Sequence, residues 1–316
     1  MASPASSPPS DKPRWTGRSW FQNLQETVVP PFILFCALVT VLTTGGIVFV
    51  LGAETFRFFQ VWSGNPISAL VGTEIDWSEG HGEFGMLPLL WGTFVIAFGS
   101  SLIALPVGLM SAIYLSEYAP RRVRAVLKPT LELLAGVPSI VYGYLALMLV
   151  TPTLKAWLEP TFSVDPYNAL SACIVVGIMI MPMVSSLSED VLSAVPMGLR
   201  EAAYGLGATK FEVATRVVLP AGLSGVFASF ILAVSRAVGE TMAVVLAAGQ
   251  LAQITPNPLR GVETMTTYIV GVITGDSSTE QEYLSLFAVG MVLFLVTLGL
   301  NILSGLVMRR YREVYQ

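Results

Sequence analysis

Six long apolar runs constrain the fold of this 316-residue chain more than any other feature of its sequence. They lie near residues 31–52, 87–115, 129–152, 169–188, 221–248 and 284–308. A helix needs about 20 apolar residues to cross a bilayer. Only 12% of the residues are charged, against about 25% in soluble proteins. The sequence therefore predicts an all-α integral membrane protein with six transmembrane helices.

The distribution of Lys and Arg between the loops predicts the orientation of these helices. Thirteen of the 17 basic residues fall on one side when the N-terminus is placed inside. Three of them, Arg57, Lys155 and Arg260, fall on the other side, and Arg236 lies within the fifth run. Because cytoplasmic loops carry the excess of basic residues, both the N-terminus and the C-terminus are predicted to be cytoplasmic.

The chain is expected to consist of a short tail and one membrane domain. Residues 1–20 are rich in Pro and Ser and lack an apolar period, which predicts a disordered cytoplasmic tail. Residues 21–316 are predicted to form a single transmembrane domain. Its first outer loop, residues 53–86, is acidic with interleaved Trp. That loop is either a solvated connector or a docking surface for a partner outside the cell membrane.

Cysteine and histidine usage gives no indication of a disulfide framework or a metal site. Cys36 and Cys173 both fall in apolar runs, so we expect them to be buried as small hydrophobic side chains. His81 is the single histidine and lies in the first outer loop without neighbouring His or Cys. No metal ligand and no catalytic residue is therefore predicted.

A polar segment at residues 189–220 separates the fourth and fifth apolar runs on the predicted cytoplasmic side. Glu201, Ala202 and Ala203 favour a helix, and Gly207 ends it with a sharp turn. Thr209-Lys210-Phe211-Glu212 has the form of a capping box, which would start a second helix. Pro220 ends that helix or bends it into the fifth span. A rigid helix fixed between two spans would convert a push from a cytoplasmic partner into a tilt of those spans; the alternative is a surface helix without a partner.

The same segment does not form a nucleotide site. Its stretch Gly205–Lys210 superficially resembles a phosphate-binding loop but fails the pattern G-x-x-x-x-G-K-[ST], because Phe211 follows Lys210. No strand precedes it. Any ATP hydrolysis associated with this chain is expected to come from another polypeptide.

The fifth run contains charged residues within the membrane, in the stretch Ser235-Arg236-Ala237-Val238-Gly239-Glu240-Thr241. A charge at the centre of a membrane helix costs roughly 2.5–3.5 kcal/mol, so such residues indicate a functional site by default. Arg236 and Glu240 are four residues apart and are expected to share a helix face. The planar guanidinium suits phosphate, with Glu240 as a counter-ion or gate and Ser235 and Thr241 as further donors. The alternative is a structural ion pair that holds helices together.

The polar segment resembles the permease subunits of ATP-binding-cassette (ABC) importers. Its pattern is E-A-A-x-x-x-G from Glu201 to Gly207, followed after nine residues by Val217-Val218-Leu219-Pro220. Four further stretches make residues 20–316 similar to the PstC family of phosphate importer permeases. These stretches are 84–88 (FGMLP), 112–119 (AIYLSEYA), 135–143 (AGVPSIVYG) and 235–241 (SRAVGET).

This resemblance implies a type I ABC importer permease in the bacterial plasma (inner) membrane, surrounded by lipid. Glu201, Ala202, Ala203, Gly207, Leu219 and Pro220 would contact the ATPase, and Ser235, Arg236, Glu240 and Thr241 would line the substrate path. The implied partners are a second permease, PstA, a PstB ATPase homodimer that binds ATP and Mg²⁺, and the periplasmic or lipid-anchored phosphate-binding protein PstS. No nucleic acid is implied, and this chain itself would hold no cofactor.

The function expected from the resemblance is ATP-driven import of inorganic phosphate by alternating access. The permease itself is not an enzyme. One alternative is a permease for another oxyanion, since the guanidinium does not distinguish such anions. A second alternative is an ion-coupled secondary transporter that works alone and would use Arg236 and Glu240 as its ion site.

Overall fold

A computed structural model describes residues 20–62, 64–77, 83–159, 161–275 and 279–311 of the chain. For residues 20–26 and 307–311 it describes the backbone only. Almost all of the predicted tail and His81 lie outside the described residues, so those predictions stay predictions.

The described chain is mostly helical. Its helices are α1 (Trp20–Val61), α2 (Pro66–Val71), α3 (Leu87–Ile113), α4 (Arg121–Ala135), α5 (Ser139–Leu145), α6 (Thr151–Leu158), α7 (Ala169–Ser193), α8 (Met197–Gly205), α9 (Lys210–Val213), α10 (Leu219–Ala221), α11 (Leu223–Val238), α12 (Met242–Ala248), α13 (Met265–Thr274) and α14 (Glu280–Tyr311). Three π-helical segments continue these helices: π1 (Tyr114–Tyr118), π2 (Ala146–Val150) and π3 (Ala214–Val218). Two short strands, β1 (Ile75–Asp76) and β2 (Glu83–Phe84), pair antiparallel.

Five helical stretches in the described residues are long and apolar enough to cross a membrane. They are Thr27–Val61, Leu87–Tyr118, Ser139–Leu158, Ala169–Ser193 and Glu280–Leu306. A sixth candidate is a pair of helical stretches, Lys210–Ala221 and Leu223–Val238, bent by 72° at Gly222. Counting this pair as one span gives the six spans that the sequence predicts. Only the stretch beyond the bend, Leu223–Val238, lies within the fifth predicted run; Lys210–Ala221 belongs, except for its last residue, to the polar segment.

Two predicted spans have wrong boundaries. The third was expected at 129–152 but begins at Ser139, because Gly136 and Pro138 break the helix and leave α4 as a separate amphipathic helix. The fifth was expected at 221–248 as one helix. It is instead interrupted at residues 239–241, between α11 and α12. Glycine at position 239 favours this interruption, because glycine weakens a helix interior.

By its internal contacts the chain divides into two units, one up to Val50 and one from Leu51 onward. The first unit contains the first part of α1, where Cys36 is exposed. The expectation that Cys36 would be buried is therefore wrong; it lies among exposed apolar side chains, a surface suited to lipid.

In the second unit, α3 and α7 form the closest helix pair. A Cβ atom at Gly99 would lie 2.4 Å from Sγ of Cys173, and one at Gly108 would lie 2.7 Å from Cγ1 of Val184. Small residues allow helix backbones to approach in membranes. Cys173 is buried in this contact, as predicted. The two helices thus form one tightly packed frame.

Polar contacts connect the outer loop to the last two helices. Nε1 of Trp77 donates to the hydroxyl of Tyr268 at 3.2 Å, and that hydroxyl lies 2.7 Å from Oγ of Ser285. Trp62 and Phe84 pack in the same aromatic cluster. Part of the acidic outer loop is therefore folded against the helices rather than extended into solvent.

Candidate functional site

The polar segment between α7 and α11 folds as a helix, a glycine turn and a second helix, as predicted. α8 ends at Gly205, and Gly207 has φ +86°, a left-handed conformation that favours glycine. Oγ1 of Thr209 accepts from the amide of Glu212, while the Glu212 carboxylate accepts from the amide of Thr209 at 3.0 Å. This reciprocal capping box starts α9.

The two faces of α8 differ in exposure. Glu201 and Ala202 are exposed, and Leu206 just beyond the helix is 90% exposed. Ala203 is half-buried and packs against an apolar cluster that includes Leu192 and Val195. The outer face of α8 therefore offers a carboxylate and small side chains to a partner, while the inner face is fixed to the protein.

The remaining predicted contact residues lie where the segment turns into the fifth span. Leu219 packs against the same apolar cluster as Ala203, and Pro220 lies within the three-residue helix α10. π3 precedes them and Gly222 follows. π-helical insertions and proline are known causes of helix kinks. The bend of 72° therefore has a local cause in the chain.

The intramembrane carboxylate lies in the break between two helices. α11 ends at Val238, and Glu240 follows in the non-helical turn with only 8% of its surface exposed. Its Oε1 accepts from the amide of Ala243 at 3.3 Å, and its main-chain carbonyl accepts from Oγ1 of Thr266 at 2.8 Å. Glu240 thus ties the start of α12 to the start of α13.

The expectation that Arg236 and Glu240 share a helix face is wrong, because the helix ends between them. Arg236 lies in the last turn of α11 and is exposed. Within the described ranges, no ion pair joins it to Glu240. The structural ion pair weighed as an alternative is therefore not formed in this conformation.

Arg236 and Glu240 nevertheless line the same cavity, which has a volume of about 590 Å³. Ser235 and Asn301 also line it. The Oγ of Ser235 is buried and has no hydrogen-bond partner among the described residues. Thr241, the fourth predicted residue, is half-buried and does not line this cavity. An exposed guanidinium beside unused polar atoms can bind an oxyanion.

Sequence reasoning missed a network of ion pairs at the predicted cytoplasmic ends of the spans. The carboxylate of Glu189 in α7 is fully buried and pairs with Arg124 and Lys128 of α4. The carboxylate of Glu117 in π1 pairs with Arg200 of α8 at 3.1 Å. The available signal was the position of each carboxylate at the end of an apolar run.

Two groups in this region have shifted pKa values. Partial burial lowers the pKa of Lys128, but its hydrogen bonds and charge interactions with Asp190 and Glu189 outweigh burial and raise it overall. Hydrogen bonds from the amide and the hydroxyl of Thr209 lower the pKa of Glu212. Both shifts favour the charged form, so the ion pair and the capping box are stabilised at neutral pH.

Among the described residues, no three His, Cys, Asp or Glu side chains lie close enough together to hold a metal ion. The polar side chains that line the cavity are those of Arg236, Glu240, Ser235, Thr297 and Asn301. Of these, the guanidinium can bind an anion, whereas the Glu240 carboxylate would repel one.

Comparison with known proteins identifies the family of this chain. Residues 104–313 match the family model for the binding-protein-dependent transport system inner membrane component. The chain is 31% identical to a probable ABC transporter permease protein, YqgH, of Bacillus subtilis, over 87% of this chain and 88% of that protein. It is 34% identical to the phosphate transport system permease protein PstC of Xylella fastidiosa (strain Temecula1), over 85% and 89%. The predicted resemblance to PstC permeases is thereby confirmed.

The fold also matches a solved importer. A bacterial ABC transporter involved in the import of the acidic polysaccharide alginate superposes with a TM-score of 0.61 at 15% identity, covering 92% of this chain and 100% of that chain. At this identity the match concerns the fold, which is that of a type I importer permease. The chain belongs to the binding-protein-dependent transport system inner membrane component family and is an inner-membrane permease of an ABC importer.

Proposed function

We propose that this permease carries inorganic phosphate into the cytoplasm as one half of a pair with a PstA-type permease. A PstB-type ATPase homodimer would bind ATP and Mg²⁺ below it, and a PstS-type binding protein would deliver phosphate from outside. The 34% identity to a phosphate permease of Xylella fastidiosa over most of both chains supports this assignment. The observation that carries it within the molecule is Arg236, which lines a cavity with Ser235 and Asn301 and has no ion-pair partner among the described residues.

The environment of Arg236 fits phosphate better than a structural role. A buried arginine that held helices together would need a paired carboxylate or carbonyls. The carboxylate of Glu240 instead accepts a hydrogen bond from the start of α12. Among the described residues it forms no ion pair with Arg236. A guanidinium can donate two parallel hydrogen bonds to two phosphate oxygens. Ser235 lines the same cavity, and its buried Oγ has no hydrogen-bond partner among the described residues.

Alternating access would follow from the bent fifth span. The predicted ATPase contact, α8, and the charged residues of the cavity are connected through π3, α10 and α11. Closure of the ATPases on ATP would move α8, and the bend at Gly222 would allow α11 to tilt and expose Arg236 to the outside. Hydrolysis would reset the tilt after phosphate has entered.

The test is phosphate uptake by the purified transporter complex in proteoliposomes, with ATP inside and loaded binding protein outside. Arg236→Gln keeps a polar side chain but removes the charge, and we expect uptake to fall at least about tenfold, the value of one charge-assisted contact. Arg236→Lys keeps the charge without the planar fork and should retain part of the uptake. Arg260→Gln removes an exposed arginine of the outer segment and is the matched control.

Three outcomes would contradict the proposal. Normal uptake by Arg236→Gln would exclude Arg236 from the phosphate path. Uptake of sulfate but not phosphate by the unmodified complex would assign the permease to another oxyanion. Uptake by this chain alone in vesicles without ATP would indicate a secondary transporter.

A further inference from the structure

Arg200 immediately precedes the exposed Glu201-Ala202 pair but points to the other side of α8. Its side chain is only 12% exposed, whereas Glu201 and Ala202 are exposed. One helix turn therefore presents a partner-facing surface on one side and a buried arginine on the other. A movement of α8 must therefore pass to the rest of the protein through its buried side, where Arg200 lies.

The guanidinium of Arg200 connects α8 to two different spans. Its Nη1 donates to the carbonyl of Val195 at 2.9 Å, and its Nη2 donates to the carbonyl of Leu192 at 2.8 Å, at the end of α7. The same Nη2 pairs with Oε1 of Glu117 at 3.1 Å, in π1 at the end of the second span. Two of these acceptors, Leu192 and Glu117, belong to two different spans, and the third, Val195, lies in the short connection between α7 and α8.

The carboxylate of Glu117 is itself held in place. Its side chain is 5% exposed, and its Oε1 also accepts from Oγ of Ser116 at 3.0 Å. The Nε of Arg200 is buried and has no hydrogen-bond partner among the described residues, so the guanidinium is held through its two Nη atoms. These Nη contacts are short, directional and largely shielded from water. A connection that transmits a displacement between helices requires such contacts, because exposed ion pairs contribute little to stability.

The apolar contacts around the Arg200–Glu117 ion pair constrain the direction in which α8 moves less strongly than the ion pair does. Leu199 and Ala203 of α8 pack against the cluster that contains Leu192 and Val195. Apolar packing keeps the helix close to the spans, but it is non-directional. The arginine supplies the directional part of the connection.

We propose that Arg200, paired with Glu117, is the positioning residue that transmits movement of α8 to the second and fourth spans. It acts through these contacts and does not touch phosphate or ATP. This inference rests on the proposed role of α8 as the ATPase contact. It predicts that breaking this connection lets the ATPase run without moving the spans.

The first experiment measures phosphate uptake and ATP hydrolysis in the same proteoliposomes of the whole complex. The variants are Arg200→Gln and Glu117→Gln, with Arg200→Lys as the conservative change and Arg122→Gln, an exposed arginine of α4, as the matched control. We expect the phosphate transported per ATP hydrolysed to fall about tenfold in Arg200→Gln, as for the loss of a typical coupling free energy. Glu117→Gln should fall less, because the bonds of Arg200 to Leu192 and Val195 remain.

The ratio distinguishes transmission from folding. A residue that only stabilises the protein would lower the amount of active complex, and uptake and hydrolysis would then fall together at a constant ratio. The double variant Arg200→Gln with Glu117→Gln should be no worse than Arg200→Gln alone, because one contact is removed in both. A constant ratio in all variants would overturn the inference.

A second experiment does not depend on the substrate. Spin labels at Phe98→Cys, an exposed position of α3 in the second span, and at Leu306→Cys, an exposed position of α14, report their separation in a background where Cys36 and Cys173 are replaced by Ala. Trapping with ATP and vanadate should change this distance in the parent complex and leave it unchanged in Arg200→Gln. The same change in both complexes would overturn the inference. If nucleotide changes the distance but the complex does not take up phosphate, only the proposed substrate is contradicted. If nucleotide leaves the distance in the parent complex unchanged, the proposed ATPase contact is contradicted.

Discussion

At the scale of single residues, the separation of Arg236 from Glu240 determines what the cavity can bind. A spacing of four residues normally keeps two side chains on one helix face. Here α11 ends at Val238, and Glu240 turns to the start of α12. The guanidinium is left exposed in a cavity of about 590 Å³. A charge within a membrane is costly, and Arg236 has no ion-pair partner among the described residues; a phosphate bound as proposed would supply that partner.

Gly207 is the residue whose conformation most limits substitution in the polar segment. At φ +86° a side chain is strained even though open space surrounds its Cβ position. Gly207→Ala should therefore loosen the turn by about 1–2 kcal/mol, and trypsin should cleave after Lys210 roughly tenfold faster. Gly205→Ala is the matched change, since Gly205 is helical and equally unobstructed. Equal cleavage rates in the two variants would show that the left-handed turn is not a constraint.

At the scale of elements, the amphipathic helix α4 is held to the fourth span by charge. Arg124 and Lys128 meet the buried carboxylate of Glu189, and Oγ of Ser193 donates to it at 2.7 Å. None of the residues of α4 is fully buried. The ion pairs, rather than a large apolar contact, therefore fix the position of this helix.

The carboxylates at positions 189 and 190 offer a matched pair of substitutions. Both pair with Lys128, but Glu189 is fully buried and the side chain of Asp190 is 57% exposed. Glu189→Gln should destabilise the purified chain by about 2 kcal/mol, because it removes the charge-assisted hydrogen bonds to Arg124 and Lys128, whose partly exposed side chains remain solvated. Asp190→Asn should cost less than about 1 kcal/mol. Thermal unfolding in detergent measures both, and equal melting temperatures would contradict the assignment.

The capping box at the start of α9 should depend on pH. Hydrogen bonds from Thr209 lower the pKa of Glu212 below its ordinary value of 4.5. The stabilisation by the carboxylate is therefore fully present above pH 4.5 and is lost as the pH falls through the lowered pKa. A spin label at Phe211→Cys should become more mobile over that range, and Glu212→Gln should remove the pH dependence. A transition of the same midpoint in Glu212→Gln would assign the effect to another group.

The sequence predicted which helices and turns form more accurately than where the helices are interrupted. Six apolar runs, the helix and glycine turn at 201–207, and the capping box at Thr209 were all predictable, because each depends on local composition or spacing. The breaks at 136–138 and 239–241 change the third and fifth spans. Apolar composition does not reveal whether a glycine within a run is tolerated in a helix, because neighbouring helices decide which backbone groups are satisfied.

At the scale of the whole molecule, residues predicted to be cytoplasmic do meet at one end of the frame formed by α3 and α7. α4 reaches the end of α7 through Arg124 and Lys128, and α8 reaches it through Arg200. The ion pairs between these distant segments could not be predicted from one sequence, because they depend on how the helices are packed. Their convergence links the predicted ATPase contact to the spans that surround the cavity.

The central claim is that α8 is driven by a separate ATPase, and Glu201→Lys tests it most directly. This change reverses the charge of an exposed side chain on the partner-facing side of α8 and leaves the buried contacts of Arg200 in place. The measurement is the amount of phosphate taken up per ATP hydrolysed by the reconstituted complex. We expect the Glu201→Lys chain to insert normally while this ratio falls about tenfold or more, the range of a coupling free energy. An unchanged ratio with full uptake would contradict the account.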